Sequence, residues 1–218
     1  MSIIENYKHI SSLINSLSKK TKLIVVTKNQ DLDKINPIIE QGHKDFGENR
    51  VQEATIKWKS LLSEYKDLNL HLIGKLQSNK AKDAFNIFNY IHTLDNKKLA
   101  KIFSDLEKTS GRKLKYFVQV NIGDEIQKNG IDVSDVKEFV RYCIFELKLE
   151  IIGLMCIPPI SGDSNLYFSQ LSKLANENNL KELSMGMSND YVLALENGST
   201  FVRVGSGIFS EIWGFGNC

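Results

Sequence analysis

Little in this chain points to a metal, a disulfide or a membrane. Its 218 residues include only three cysteines, Cys143, Cys156 and Cys218. They are odd in number, widely spaced and form no CxxC pair, so neither a disulfide framework nor a zinc ligand set is indicated. Cys143 and Cys156 are expected to be small buried apolar residues. The four histidines, His9, His43, His71 and His92, show no HxH or HxxxH spacing and give no pattern for a metal site or a Ser-His-Asp triad. His71 and His92 fall in apolar strands and read as core histidines with satisfied hydrogen bonds. With only three prolines, long structureless linkers are not expected. No apolar stretch approaches the roughly 20 residues that span a bilayer. Lysine and arginine number 28 against 26 aspartates and glutamates, a net charge of +2, which gives no electrostatic case for nucleic acid or an acidic membrane surface. The opening Met1-Ser2-Ile3-Ile4-Glu5-Asn6 lacks the basic and apolar regions of a signal peptide. Together with the unpaired cysteines, this sets the expectation of a cytoplasmic protein.

The chain does carry a regular alternation of short apolar runs and amphipathic stretches. Ile3, Tyr7, Ile10, Ile14 and Leu17 recur at steps of four and three, a helix before the first strand. Strands are expected at Leu23–Thr27, near Lys44–Phe46, and at Leu70–Ile73, Tyr90–Leu94, Tyr116–Asn121, Leu149–Met155, Glu182–Ser184 and Thr200–Val204. Between them lie helical patterns. Asp31 and Ser78 are candidate caps, and a helix is expected from Val133 to Phe145. Trp58 and Trp213 read as packing residues. Apolar runs between helices mark strands covered on both faces. About eight such units in roughly 200 residues predict a single (β/α)8 barrel with an extra N-terminal helix, one domain over 1–218. A doubly wound open sheet is the alternative that the same alternation permits.

Two strand ends carry chemistry. Leu23-Ile24-Val25-Val26-Thr27 closes on Lys28, and alternation puts Ile24, Val26 and Lys28 on one face. Phe201-Val202-Arg203-Val204 puts an arginine inside an apolar strand. If Val202 and Val204 pack under the helices, Arg203 points into the barrel, where a guanidinium needs an anion or an acceptor. Small residues cluster just after the last two strands, Ser184-Met185-Gly186-Met187-Ser188 and Gly205-Ser206-Gly207. Barrels build phosphate sites from these two loops. An amine, a guanidinium and a hydroxyl-lined strand end suit a small phosphorylated carbonyl compound. Gly205-Ser206-Gly207 does not begin a dinucleotide fingerprint, because Ser210 stands at the third glycine.

These residues resemble the YggS/PROSC family of pyridoxal phosphate homeostasis proteins. The resemblance runs through Val25–Lys28, Phe46-Gly47-Glu48-Asn49-Arg50-Val51-Gln52-Glu53 and His71-Leu72-Ile73-Gly74-Lys75-Leu76-Gln77-Ser78-Asn79-Lys80. It continues through Val118–Asn121, Lys128–Ile131, Gly153–Met155, Leu183–Ser188 and Val202–Gly205, in family order along nearly the whole chain. Thr27 stands where the family usually has serine, and Ser206 where it has threonine. The resemblance implies a barrel like the N-terminal domain of alanine racemase (PLP fold type III). It implies a Schiff base between pyridoxal 5'-phosphate (PLP) and Lys28, with Arg203 near the pyridine nitrogen and Asn49 near the ring. Phosphate contacts are implied from Ser184, Met185, Gly186 and Ser188 and from Gly205 and Ser206. The implied role is intracellular PLP homeostasis by a monomer, with PLP-dependent apo-enzymes as recipients and no established turnover.

Imine formation uses the neutral amine, and Lys28 is expected to be buried beside Arg203. A permanently charged arginine at the pyridine nitrogen disfavours its protonation, which weakens the ring as an electron sink. Binding is therefore expected rather than catalysis. A racemase-like enzyme is the alternative, but only about 14 residues follow Val204, and no second domain with a catalytic tyrosine is expected in them. A lysine of class I aldolase type, or one without chemistry, is the third reading.

Overall fold

A computed structural model describes residues 2–125 and 129–210; Lys128, Trp213 and Cys218 lie outside the described residues. The first helix, α1 (Ile3–Leu17), is closed by a capping box in which Ser2 and Glu5 bond each other's backbone. Its apolar stripe buries Tyr7, Ile10 and Ile14, while Leu17 remains exposed. Asn6 donates to the carbonyls of Ile208 and Ser210, tying α1 to the far end of the described chain.

Strands and helices then alternate. They are β1 (Lys22–Val26), α2 (Leu32–Glu40), β2 (Asp45–Glu48), α3 (Val51–Glu64), β3 (Asn69–Leu72), α4 (Ala81–Ile87), β4 (Tyr90–Leu94), α5 (Lys97–Ser110) and β5 (Lys115–Asn121). A two-residue strand β6 (Ile131–Asp132) precedes α6 (Val136–Arg141), and β7 (Glu150–Met155), α7 (Ser164–Glu177), β8 (Glu182–Met187), α8 (Tyr191–Glu196), β9 (Phe201–Val204) and α9 (Ser206–Phe209) follow. Neighbouring strands are parallel in the order β4-β3-β2-β1-β9-β8-β7-β5-β6, and β4 also pairs with β5. That last pairing closes eight strands into a barrel and excludes the open sheet; β6 hangs on β5 outside the ring.

Alternation along the strands sorts side chains into two cores. Val25, Phe46, Leu70, Tyr116, Val202 and Val204 face the helices, packed with Trp58, Phe103 and Phe168. Ile24, Tyr90, Phe117, Met155 and Phe201 fill the barrel itself. Cys143 and Cys156 are buried free thiols, and burial pushes both up to about 12.

Several local expectations need correction. Asp31 occupies the cap of α2 without a side-chain capping hydrogen bond, and Ser78 is not a cap but the first residue of a 3-10 turn whose cap is Gln77. The helix expected over Val133–Phe145 is regular only within α6. A 3-10 turn precedes it and a wider π turn, Tyr142–Glu146, follows. Among the described residues, no helix is long and apolar enough to cross a membrane.

Candidate functional site at the open end of the barrel

Lys28 stands two residues past β1, at the carboxyl end of the barrel strands. The chain on both sides of it is clamped. Thr27 donates through its backbone to the Gly47 carbonyl and through its hydroxyl to Glu48 Oε1 at 2.7 Å. Its own carbonyl accepts from Lys57 Nζ at 2.7 Å. On the other side, Asn29 takes a left-handed conformation, φ 57°, and its N–H donates to Glu53 Oε1 at 2.7 Å. Lys57 then joins Glu48 and Glu53, each at 3.0 Å, and Trp58 Nε1 donates to Glu48 at 2.9 Å. The acidic residues of the Phe46–Glu53 motif thus hold the lysine turn. Lys28 itself is exposed, so the expected burial beside Arg203 is not found. Ile24 is level with Arg203 in the ladder, and Lys28 lies four residues further along the chain. At about 3.3 Å per residue, that separates the two levels by roughly 13 Å.

Arg203 does point into the barrel and is buried. Its Nη2 donates to the Cys156 carbonyl at 2.9 Å and its Nη1 to Ser184 Oγ at 2.7 Å. The bond to Ser184 begins a chain across the interior. Ser184 Oγ meets His92 Nδ1 at 2.8 Å, His92 Nε2 meets His71 Nδ1 at 3.0 Å, and His71 Nε2 meets Asp45 Oδ1 at 3.0 Å. The ends fix the direction, because arginine can only donate and a carboxylate can only accept. Ser184 therefore donates to His92, His92 to His71 and His71 to Asp45, with both imidazoles neutral. Their pKa shifts agree. Burial lowers His71, against the pull of Asp45. Burial, then the charges of His71 and Arg203, hold His92 well below its ordinary value. Burial tends to raise Asp45, but the His71 hydrogen bond and neighbouring positive charge bring it below the usual carboxylate range. Burial pulls Arg203 down from its very high ordinary value, and it remains a cation. His71 stacks on Tyr90 and His92 on Phe117, with ring centroids 4.2 and 4.3 Å apart.

This chain corrects one sequence expectation. The Ser184 hydroxyl lies inside the barrel, committed to Arg203 and His92, and does not face the loop after β8. Met185, its neighbour on the opposite face, packs among the helices, so only its backbone can face a ligand. Gly186, near the end of β8, has φ 91°, and a Cβ there would stand 2.5 Å from that of Ala194, so this end of the strand favours glycine. The Ser188 hydroxyl meets the loop after β9. Its Oγ accepts from the N–H of Gly205 at 3.3 Å and of Gly207 at 3.2 Å. Two amides therefore converge on one oxygen beside the exposed Ser206, as they would on an oxygen of a phosphate. Asn49 follows β2, next to the Lys28 turn. Sequence reasoning treated His71 and His92 as core residues, which they are. It missed that they link Arg203 to Asp45; the available signal was two histidines on the inward face of neighbouring strands.

Comparison with known proteins agrees with the fold. The family model of the alanine racemase N-terminal domain matches residues 2–211. The pyridoxal phosphate homeostasis protein of Synechocystis is 34% identical over 210 residues, covering 92% of this chain and 96% of its own. The Aquifex aeolicus protein of the same name is 36% identical, covering 87% of this chain and 86% of its own. Among solved structures, PipY of Synechococcus elongatus without PLP superposes with a TM-score of 0.87 at 36% identity, covering 95% of this chain and all of PipY. The PLP-bound form of PipY gives 0.83. Alanine racemase of Corynebacterium glutamicum, at 16% identity and a TM-score of 0.69 over 60% of its length, shares the barrel fold. The chain belongs to the alanine racemase N-terminal domain family and, within it, to the pyridoxal phosphate homeostasis proteins.

Proposed function

We propose that this protein binds pyridoxal 5'-phosphate, holds it at Lys28 and serves as an intracellular reservoir of the cofactor. The observation that carries this reading is the spacing of three groups along one barrel mouth. An exposed amine stands just past the end of β1, a buried guanidinium lies two layers down, and the Gly205 and Gly207 amides converge on the Ser188 oxygen. The residues fit the group. Lys28 would take the aldehyde carbon covalently, with loss of water. Ser188, Gly205, Ser206 and the backbone at Met185 and Gly186 would hold the phosphate, and Asn49 would lie beside the ring. Bound there, the cofactor supplies an aldehyde for reversible amine capture and a ring that can withdraw electrons.

The chain's own groups favour holding over turnover. Arg203 presents a permanent positive charge where the pyridine nitrogen would sit, and Asp45 anchors it through neutral imidazoles that have no proton to give in that direction. Tyr7 and Tyr116 have their hydroxyls engaged with His43 and Glu107, and Tyr90 stacks on His71 inside the barrel. Release to apo-enzymes would then proceed by exchange of Lys28 for an incoming amine. Borohydride reduction of the cofactor-treated protein, followed by peptide mass analysis, tests the reading. The label is expected on Lys28. Lys28→Ala should abolish the label and retain weaker, reversible binding through the separate phosphate cradle. Label on another lysine in the native protein would overturn the assignment. Loss of the α-deuteron from labelled amino acids, at a rate typical of an enzyme, would favour a racemase-like activity instead.

A further inference from the structure

Two stretches of the family motifs take no part in holding Lys28 or Arg203. One is Arg50-Val51-Gln52 at the start of α3; the other is the run from Lys75 to Lys80. Although about 25 residues apart in sequence, they meet in space because β2 and β3 are neighbours in the barrel. Gly74 fastens the two loops together: a Cβ on it would lie 2.2 Å from the Asn49 carbonyl oxygen. Between the loops is a cavity of about 290 Å³ whose polar lining is Asn49, Arg50, Gln52, Lys75, Gln77 and Lys80.

That lining holds three cations and no acid. Among the described residues, none of the three makes an ion pair. The acids that feel their charge are engaged elsewhere: Glu53 with Asn29 and Lys57, Asp95 with Asn96. The start of α3 adds to the imbalance. Arg50 is its N-cap and makes no capping bond, since arginine has no acceptor to offer. The first backbone bond of the helix runs from the Ala54 N–H to the Arg50 carbonyl, so the N–H groups of Val51, Gln52 and Glu53 have no acceptor within the helix. The exposed Arg50 and Lys75 and the half-buried Lys80 thus put three positive charges around one cavity beside the positive end of a 14-residue helix. The same arrangement becomes favourable around an anion.

We infer that this cavity, which borders the cofactor site at Asn49, is an oxyanion site distinct from the phosphate-holding loops after β8 and β9, taking a doubly charged phosphate as inorganic phosphate or a small phosphate monoester. Three unpaired cations and three side-chain amides suit a dianion with several acceptor oxygens better than a single carboxylate. The cradle at Gly205 and Gly207 follows β9, the cavity follows β2 and β3, and β1 with Lys28 lies between them. The inference does not depend on the cofactor reading.

The test is titration of the cofactor-free protein at low ionic strength, followed by backbone amide NMR. Inorganic phosphate and glycerol phosphate are the two probes. Saturable shifts are expected at Val51, Gln52 and Glu53 and from Gln77 to Lys80. Arg50→Gln combined with Lys80→Gln should weaken binding by about tenfold or more, while the visible absorbance of the cofactor bound at Lys28 stays unchanged. Equal affinity for the two probes assigns the site to inorganic phosphate; tighter binding of the ester assigns it to a phosphorylated metabolite. Shifts that never saturate, shifts confined to the Ser188 and Gly205 loops, or affinity untouched by the double substitution would overturn it. Lys75→Gln alone, at an exposed position, supplies a second variant with the same expected direction.

Discussion

Replacing Lys57 by methionine probes the clamp that presents Lys28. The Lys57 ammonium donates to the Thr27 carbonyl, Glu48 Oε1 and Glu53 Oε1 at 2.7, 3.0 and 3.0 Å. Its side chain is 10% exposed and that of Glu48 is 0% exposed. Methionine keeps the apolar stem packed and removes the ammonium, its charge and its three hydrogen bonds. Glu48 would then retain the Thr27 hydroxyl and the Trp58 indole on Oε1, while Oε2 has no hydrogen-bond partner in the native arrangement. Breaking a buried pair from one side costs about 3–5 kcal/mol, because the remaining charge is uncompensated. At about 2–4 °C per kcal/mol for a chain of this size, Tm should fall by roughly 6–20 °C. Urea unfolding measured by circular dichroism gives the free energy directly. Adding Glu48→Gln to the Lys57→Met variant should recover at least about half of the loss, since a neutral amide needs no counter-charge. Amide exchange at Asn29 should quicken in the single variant, reporting a looser lysine turn. A loss under about 1 kcal/mol, or no recovery in the double variant, would refute the clamp.

Two further outcomes follow from the chain inside the barrel. Burial holds both His71 and His92 below their ordinary pKa, so the unfolded chain takes up protons below about pH 6.5 that the folded chain refuses. Stability should therefore fall as pH drops through that range, with a limiting slope of about 1.4 kcal/mol per pH unit for each histidine. Asp45, whose folded pKa is depressed, adds a further loss below about pH 3.9; urea midpoints that stay flat from about pH 6.5 to 5 would contradict the neutral relay. Ser184→Ala strands Arg203 Nη1 and His92 Nδ1 and should destabilise the cofactor-free protein by about 1–3 kcal/mol. Unchanged stability with lost cofactor affinity would instead put that hydroxyl on the phosphate.

Periodicity made the barrel legible because burial on both faces leaves a direct mark in the sequence. Each parallel strand reads as an apolar run and each covering helix as a stripe, from Leu23–Val26 to Phe201–Val204. Lys28 and Arg203 stood out for the same reason: an ionised group inside or at the end of such a run has to be used or compensated. The Gly186 and Gly205 loops followed from what a turn at a strand end requires.

Composition and order along the chain thus determined the architecture, the amine and the guanidinium. Only the closed barrel decided where Ser184 points, since a one-residue difference in facing sends its hydroxyl to Arg203 and not to the loop. Only closure brought His71 and His92 into line between Arg203 and Asp45, across gaps of up to 92 residues in the chain. The meeting of Arg50 with Lys75 and Lys80 around one cavity is likewise a tertiary fact. Hydrogen bonds and cation clusters of this kind depend on distances of a few ångströms between segments remote in sequence, and no local pattern of residues encodes them.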